Sequence, residues 1–355
     1  MEEDCPQYKY RPSATVILAI DKNDLLSKHN YEILLFERTT HTAFTPGHCV
    51  FPGGTFEEAS DESQEWLDYF KNYGINPNLL DSLIVQYSCI KRSNPLLTSG
   101  KNLSRDISLR ITALRETFEE VGILLFRDHE TLKKLTSTPA FGEDYNSLNF
   151  DRAKWQNAVH NDAKQFLYLC QSLQIVPDLW CLYEWSLWRS PLEATKRYDT
   201  VFYFASLAQR PKLLPERTEV KVAMWQTASE FLELYKQHKI WLPPPQVYEL
   251  LRLSNIKSLQ NLTNFACVRS KQGTNLLTPV YYKCLDAVIL ALPGDEMYPT
   301  NPNKPMKVID CSSKQLLNMT KQLHRLVLFD VYNGIVQKNI FATDGHLSFF
   351  TKNKL

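Results

Sequence analysis

No Cys-x-x-Cys pair occurs in this sequence, and its eight cysteines (positions 5, 49, 89, 170, 181, 267, 284 and 311) are scattered along 355 residues. That spacing argues against a zinc site or a disulfide framework and reads as reduced thiols in a cytosolic or organellar protein. No cysteine forms a recognisable catalytic pair with a histidine. Charge of one sign is not in excess either. Forty Lys and Arg against 39 Asp and Glu leave a net +1, which argues against a dedicated nucleic-acid binder but leaves room for a local basic pocket. Long apolar runs are missing: the best two, 14–20 and 323–332, are too short or too polar to span a bilayer, so no membrane partner is expected. The acidic residues 1–4 do not read as a secretory leader. There is no internal repeat and no low-complexity tract. What remains is the composition of a globular protein, long enough for one large domain or two modest ones.

Apolar patterning supplies the elements. Residues 14–20 (ATVILAI) read as a buried strand, and 32–38 as a second that pairs with it antiparallel across a polar turn. A short strand at 49–51 sits among the turns of 44–54. Ser60 is placed to cap a helix running through Trp66, Leu67 and Phe70; a second apolar helix covers 79–87, and 91–105 reads as a loop. Residues 110–121 form the strongest helix, closed by Gly122 as a left-handed cap. Further helices are expected within 153–173, at 227–239 and at 246–253, with strands at 198–207 and 219–225. The last hundred residues turn strand-rich, at 279–292, 307–311, 323–332 and 338–350. Strands, then helices, then strands again predict a mixed α+β fold.

The sharpest chemical signal lies on helix 110–121. At about 100° per residue, Glu116, Glu119 and Glu120 share one face, while Ile111, Leu114, Phe118 and Val121 lie opposite and anchor the helix on a sheet. Crowded carboxylates repel unless a cation neutralises them. Mg²⁺ or Mn²⁺, hard ions that take oxygen ligands and leave positions open for phosphate, answer that need. Arg115 is spaced to pair with Glu119 at i, i+4. The alternative for three such glutamates is a solvated acidic helix face.

Arg115, Glu116, Glu119, Glu120 and Gly122 together resemble the second half of the Nudix box, and Phe51-Pro52-Gly53-Gly54 resembles the glycine turn that opens it. In most of that superfamily the two halves lie much closer; here Gly54 and Arg115 are 61 positions apart. A box split by a long insert resembles the branch of peroxisomal coenzyme A diphosphatases. The likeness continues in Phe44, Pro46 and Gly47 and in residues 177–185, 197–200, 240–246 and 292–298, and so covers nearly the whole chain. It implies a Nudix fold, an α/β/α sandwich around a mixed sheet, over 10–255. A helical insert at 57–108 and a strand-rich extension at 256–355 complete the expected organisation. It also implies Glu116, Glu119 and Glu120 as metal ligands for Mg²⁺ or Mn²⁺, Arg115 as their orienter, and hydrolysis of the diphosphate of coenzyme A or acyl-coenzyme A. One departure stands out: the carboxylate that the common box carries soon after its glycine falls on Ser60, leaving Asp61 or Glu57 to act in its place.

Other residues carry two readings each. Gly53 and Gly54 either let backbone approach substrate phosphates or simply make a tight turn. Arg38 is a candidate for the ribose 3′-phosphate or a surface cation; Lys91, Arg92 and Arg197 are similar. Glu116, with Glu219 behind it, is the candidate general base. Trp180, Tyr183, Trp185 and Trp188 pack a core or stack on adenine or an acyl group. Residues 243–245 with Gln246 and Tyr248 close a pocket or start a helix. The final Asn353-Lys354-Leu355 approximates the Ser-Lys-Leu address read by the peroxisomal import receptor, with cytoplasm or mitochondrion as the alternative location. The same metal helix also suits another nucleoside diphosphate derivative, and a catalytically silent nucleotide-binding Nudix protein is the remaining alternative.

Overall fold

The computed structural model describes residues 10–22, 30–40, 47–84, 100–133, 135, 140–142, 150–303 and 306–349. Of the segments singled out above, residues 44–46, 85–87, Lys91, Arg92 and the tail Asn353-Lys354-Leu355 lie outside these.

The apolar run after Arg11 becomes β1 (Arg11–Asp21), the centre of the main sheet. It lies parallel to β8 (Tyr198–Leu207) along one edge. Its other edge is divided between β2 (Tyr31–Arg38), paired at Ala19–Asp21, and β4 (Gly53–Thr55), paired at Ser13–Thr15. Strand β2 in turn leaves β1 to pair with β3 (Cys49–Val50) and β9 (Val220–Gln226). The two strands therefore fork, and the Pro-Gly turn closes the fork where Val16 N–H bonds Pro52 O at 2.8 Å. Beyond β8 come β7 (Tyr183–Arg189) and β10 (Leu276–Leu277). A two-residue ribbon, β5 (Phe126–Arg127) with β6 (Val176–Pro177), lies apart.

A strand buried on both faces explains why its sequence is nearly continuous in apolar residues. Val16, Leu18, Leu34, Phe36 and Tyr203 enter one core with helices Arg105–Val121 and Gln165–Leu173. Ile17, Ala19, Ile33, Leu35 and Phe204 enter another with helices Ala228–Lys236, Pro244–Leu253 and Leu259–Ser270. The result is the expected α/β/α sandwich around a mixed sheet. The second core is shared with a C-terminal sheet, ordered β13 (Lys307–Val308), β11 (Val280–Lys283), β12 (Val288–Ala291), β14 (His324–Leu328), β15 (Gly334–Lys338), through Leu290, Leu292, Leu326 and Val336.

Several boundaries differ from the sequence reading. The glutamate helix starts at Arg105, not 110, because Ser104 caps it by accepting from Asp106 N–H and because Asp106, Ile107 and Leu109 are buried in the added turns. Gly122 closes it at φ 70° as expected. Ser60 is no cap: it lies inside the short helix Glu58–Asp61, and Gln64–Asn72 starts after Ser63. The helix expected over 79–87 is Pro77–Asp81, begun by Asn76 and a proline at its first turn. Residues 279–292 are two strands of a hairpin. The strand expected over 338–350 ends at Lys338, and no strand is found among the described residues after it.

The described residues of the insert pack as a helical annex. Trp66, Phe70, Leu80 and Leu83 are buried, and Tyr69 donates to Cys170 O and Ile175 O at 3.0 and 2.7 Å. Its two ends are clasped together: Glu62 accepts from Lys101 N–H at 2.5 Å and pairs with Arg105 at 3.2 Å. Among the described residues no helix is long and apolar enough to cross a membrane.

Candidate active site

The glutamate helix lies behind the fork with Arg115 at its hub. Arg115 is 2% exposed and donates from Nε and Nη2 to the two carboxylate oxygens of Asp61 at 2.8 and 2.9 Å, and from Nη2 to Thr55 O at 3.0 Å. Its Nη1 pairs with Glu116 at 3.0 Å and with Glu119 at 3.3 Å. The expected i, i+4 pair is present, but Asp61 is the principal partner. Asp61 also accepts from Thr112 Oγ1 at 2.8 Å and Glu57 N–H at 3.0 Å. It is the carboxylate that ties the two halves of the box together, with Ser60 beside it supplying only a backbone oxygen to Trp66 Nε1.

Gly53 and Gly54 bring β4 against the glutamates. Gly53, at φ 152°, donates its N–H to Glu120 Oε2 at 2.8 Å, and a side chain there would strike Ala14 O. A Cβ on Gly54 would stand 2.4 Å from the Glu116 carboxylate. At Gly53 only glycine admits such proximity to backbone; at Gly54 a larger residue would displace the Glu116 carboxylate. Arg38, the candidate for the ribose 3′-phosphate, lines the cleft and is held by carboxylates: it donates to Glu120 Oε1 at 3.3 Å and Glu219 Oε2 at 3.2 Å.

These groups line one cleft of about 1080 Å³. It includes Arg38, Gly53, Gly54, Glu57, Glu116, Glu119, Glu120 and Glu219, and also Pro243–Gln246 from the triple-proline helix start. Of the four aromatics, Trp188 reaches the cleft while Trp180, Tyr183 and Trp185 pack the core; Trp185 and Trp188 both donate to buried Glu249, at 2.8 and 2.9 Å. Tyr248 is buried on His324, and Arg197 is occupied by Leu192 O.

Residues 10–253 match the NUDT19 Nudix domain, and residues 282–339 match the NUDT19 C-terminal domain. This chain belongs to the NUDT19 family. The acyl-coenzyme A diphosphatase NUDT19 of Xenopus laevis is 34% identical over 322 residues, 85% of this chain and 81% of that one. The Homo sapiens protein of the same name is 31% identical over 341 residues, 89% of each chain. Among solved structures, a NUDIX hydrolase from Alicyclobacillus acidocaldarius superposes with a TM-score of 0.52 at 19% identity, covering 72% of this chain and 96% of its own. That likeness is one of fold.

Nudix hydrolases generally use divalent metal ions, and the donor chemistry of this NUDT19 family member fits one. Burial raises the carboxyl of Glu116 above its ordinary range, against the pull of Arg115, with Asp61 and Glu219 adding to the rise. Burial likewise lifts Glu119 to about 9, aided by Glu116, and Glu120 well above the usual value against Arg38. Hard oxygen donors crowded to that degree are what a cation would relieve. As the side chains stand, no three acidic, His or Cys groups among the described residues converge closely enough to hold an ion. Glu120 is turned to Gly53 and Arg38, and Glu116 and Glu119 to Arg115.

This crowding has a measurable sign. Between its ordinary value of 4.5 and about 9, folded Glu119 keeps a proton that the unfolded chain has released. Metal-free stability therefore falls as pH rises through that window. In EDTA, Glu119→Gln should melt near wild type at pH 4.5 and above it at pH 8, by differential scanning fluorimetry. A variant that melts below wild type at pH 8 would mean that the carboxylates are not in conflict.

His160 was not visible in the sequence as part of this site. Its Nδ1 lies 3.0 Å from Glu119 Oε1, and Gln156 on the same helix, Arg152–Asn161, donates to Glu119 O at 2.8 Å. Neither belongs to a local motif, so only tertiary packing reveals them. His48 is a second such residue: it lines the cleft, burial and Arg38 lower its pKa to about 4, and both ring nitrogens are buried without a hydrogen-bond partner.

Proposed function

We propose that this chain hydrolyses the diphosphate bond of coenzyme A and acyl-coenzyme A, giving adenosine 3′,5′-bisphosphate and 4′-phosphopantetheine or its acyl form, with Mg²⁺ or Mn²⁺ as cofactor. The observation that carries the reading is the placement of Glu116, Glu119 and Glu120 against Gly53 and Gly54 in one cleft that continues to an apolar end. The relatives named acyl-coenzyme A diphosphatase supply the substrate class.

Glu116, Glu119 and Glu120 would hold the cation, which supplies neutralisation of the diphosphate charge. Arg115, fixed by Asp61, orients Glu116 and Glu119 so that the shell keeps its shape as substrate arrives. Gly53 and Gly54 let the phosphates approach backbone without steric conflict. Glu116 and the half-buried Glu219 are both placed to take a proton from water. Arg38, between Glu120 and Glu219, restrains both carboxylates and is within the cleft for a phosphate to engage.

A coenzyme A pocket must satisfy the 3′-phosphate dianion, and Arg38, with its side chain only 14% exposed at the glutamate end of the cleft, is the candidate cation for it. Buried polar partners left unmatched cost about 1–3 kcal/mol. Coenzyme A should therefore exceed dephospho-coenzyme A and NADH in kcat/KM by about tenfold. The assay compares the three with Mg²⁺ and with Mn²⁺. Equal or faster turnover of NADH would replace coenzyme A by another nucleoside diphosphate derivative as the substrate.

A further inference from the structure

The cleft does not stop at the glutamates. Its floor follows from strand register: Thr55, Ser13, Thr200 and Trp188 stand opposite one another on β4, β1, β8 and β7, and all four line the cleft. Those three interstrand steps span about 14 Å. Strand β10 then extends the sheet beyond Trp188, and three residues after Leu277 the chain enters β11 of the C-terminal sheet.

There the pleat sorts side chains onto two faces. Tyr282, Ile289 and Val327 pack a small core of their own on the far side. Tyr281, Leu290 and Leu326 form one cross-strand row facing the cleft; Lys283, Val288, Leu328 and Gly334 form the next. Leu290 and Leu326 are buried at the base of this wall, whereas Val288 and Leu328 are half-buried and form its open part. Gly334 ends the second row without a side chain, with Leu328 Cδ2 2.7 Å from where its Cβ would be.

A ligand that joins the two ends of this cleft must be anionic at the glutamates, extended across a floor of hydroxyls and one indole, and apolar where it meets the C-terminal sheet. We propose that the cleft-facing rows of the C-terminal sheet are an acyl-chain subsite, in which Val288 and Leu328 flank the chain of an acyl-pantetheine arm. This rests on the reading of the chain as a coenzyme A diphosphatase. The pantetheine arm crosses Ser13, Thr200 and Trp188, and the thioester-linked chain lies along β12 and β14. Each methylene that leaves water on that wall strengthens binding about fourfold, so the sheet converts chain length into affinity while the glutamates remain indifferent to it.

The test uses the full chain with Mg²⁺ and measures kcat and KM for coenzyme A, hexanoyl-coenzyme A and dodecanoyl-coenzyme A. Val288→Glu and Leu328→Glu place a carboxylate, half-exposed and able to stay hydrated, in the path of the chain. Free coenzyme A should be cleaved within about twofold of wild type, while dodecanoyl-coenzyme A should lose at least about 30-fold in kcat/KM, through KM. Unchanged turnover of the dodecanoyl thioester in both variants overturns the subsite. If a charge there disrupts folding, both substrates fall together, and Val288→Ala decides. Its gain from hexanoyl to dodecanoyl should be at least about threefold smaller than that of wild type, and an equal gain overturns the proposal. A wild-type enzyme that cleaves coenzyme A with no dependence on chain length defeats the subsite alone; one that cleaves none of the three defeats the reading of function.

Discussion

Glu120→Gln is expected to lower kcat/KM for coenzyme A by about 10³-fold or more at saturating Mg²⁺, or about 4 kcal/mol of transition-state stabilisation. The side chain is 2% exposed and accepts from Gly53 N–H on one oxygen and from Arg38 on the other. Glutamine retains one acceptor, but its amide nitrogen must then face a donor, either the β4 backbone or the guanidinium. The substitution therefore removes a charge from the proposed metal shell and also disturbs the contact that sets β4 against the helix. Circular dichroism and the denaturant m-value should stay at wild type, since the helix is anchored by Ile111, Leu114, Phe118 and Val121 on the other face. Near-normal turnover at high Mg²⁺ would remove Glu120 from the site's chemistry.

Asp61→Asn is expected to cost about 3–5 kcal/mol of stability and to abolish activity with it, because it removes the principal, bidentate counter-charge of a buried guanidinium. Asp61 and Arg115 are 1% and 2% exposed. Four donors converge on the Asp61 carboxylate, from Arg115 twice, Thr112 and Glu57, so an asparagine amide would turn donor against donor. Arg115 would then move toward Glu116 and Glu119, the two carboxylates it positions. Ser60→Ala is the matched control: its side chain has no role in the pair, and urea unfolding should place it within about 1 kcal/mol of wild type. A similar midpoint for both variants would show that Asp61 does not join the halves of the box.

The sequence made the glutamate helix readable because two signals agree there, an apolar stripe at helical spacing and a glycine at its end. Its first five residues were hidden because they open with two charged side chains that the fold takes in, Asp106 buried and Arg105 with its guanidinium over the Phe56 ring. Local pattern reads burial from polarity, and here a tertiary partner reverses the inference. The same limit applies at Ser60 and Asp61, adjacent polar residues whose difference lies wholly in what reaches them from the helix Arg105–Val121 and the β4 turn. Apolar residues near 347–349 suggested a strand; Phe349 is instead buried side-on against Tyr248, with no ladder required. Arg38 was placed at the site by its position at a strand end, but its carboxylate partners come from residues 82 and 181 positions away.

The clasp at the ends of the insert separates two things that chain connectivity normally couples. Glu62 holds Lys101 and Arg105, and Asp61 holds Arg115, so the glycine turn and the glutamate helix are fixed to each other by side chains at the base of the loop. Whatever lies between residues 62 and 100 is spanned by contacts that do not depend on its length. Closing a flexible loop costs only about 0.6 kcal/mol more for each doubling of its length. Chain added within that segment, outside the helices that bury Trp66, Phe70 and Leu80, would therefore leave the site's geometry in place, because the glycines, Asp61 and the glutamates are held to one another as one unit.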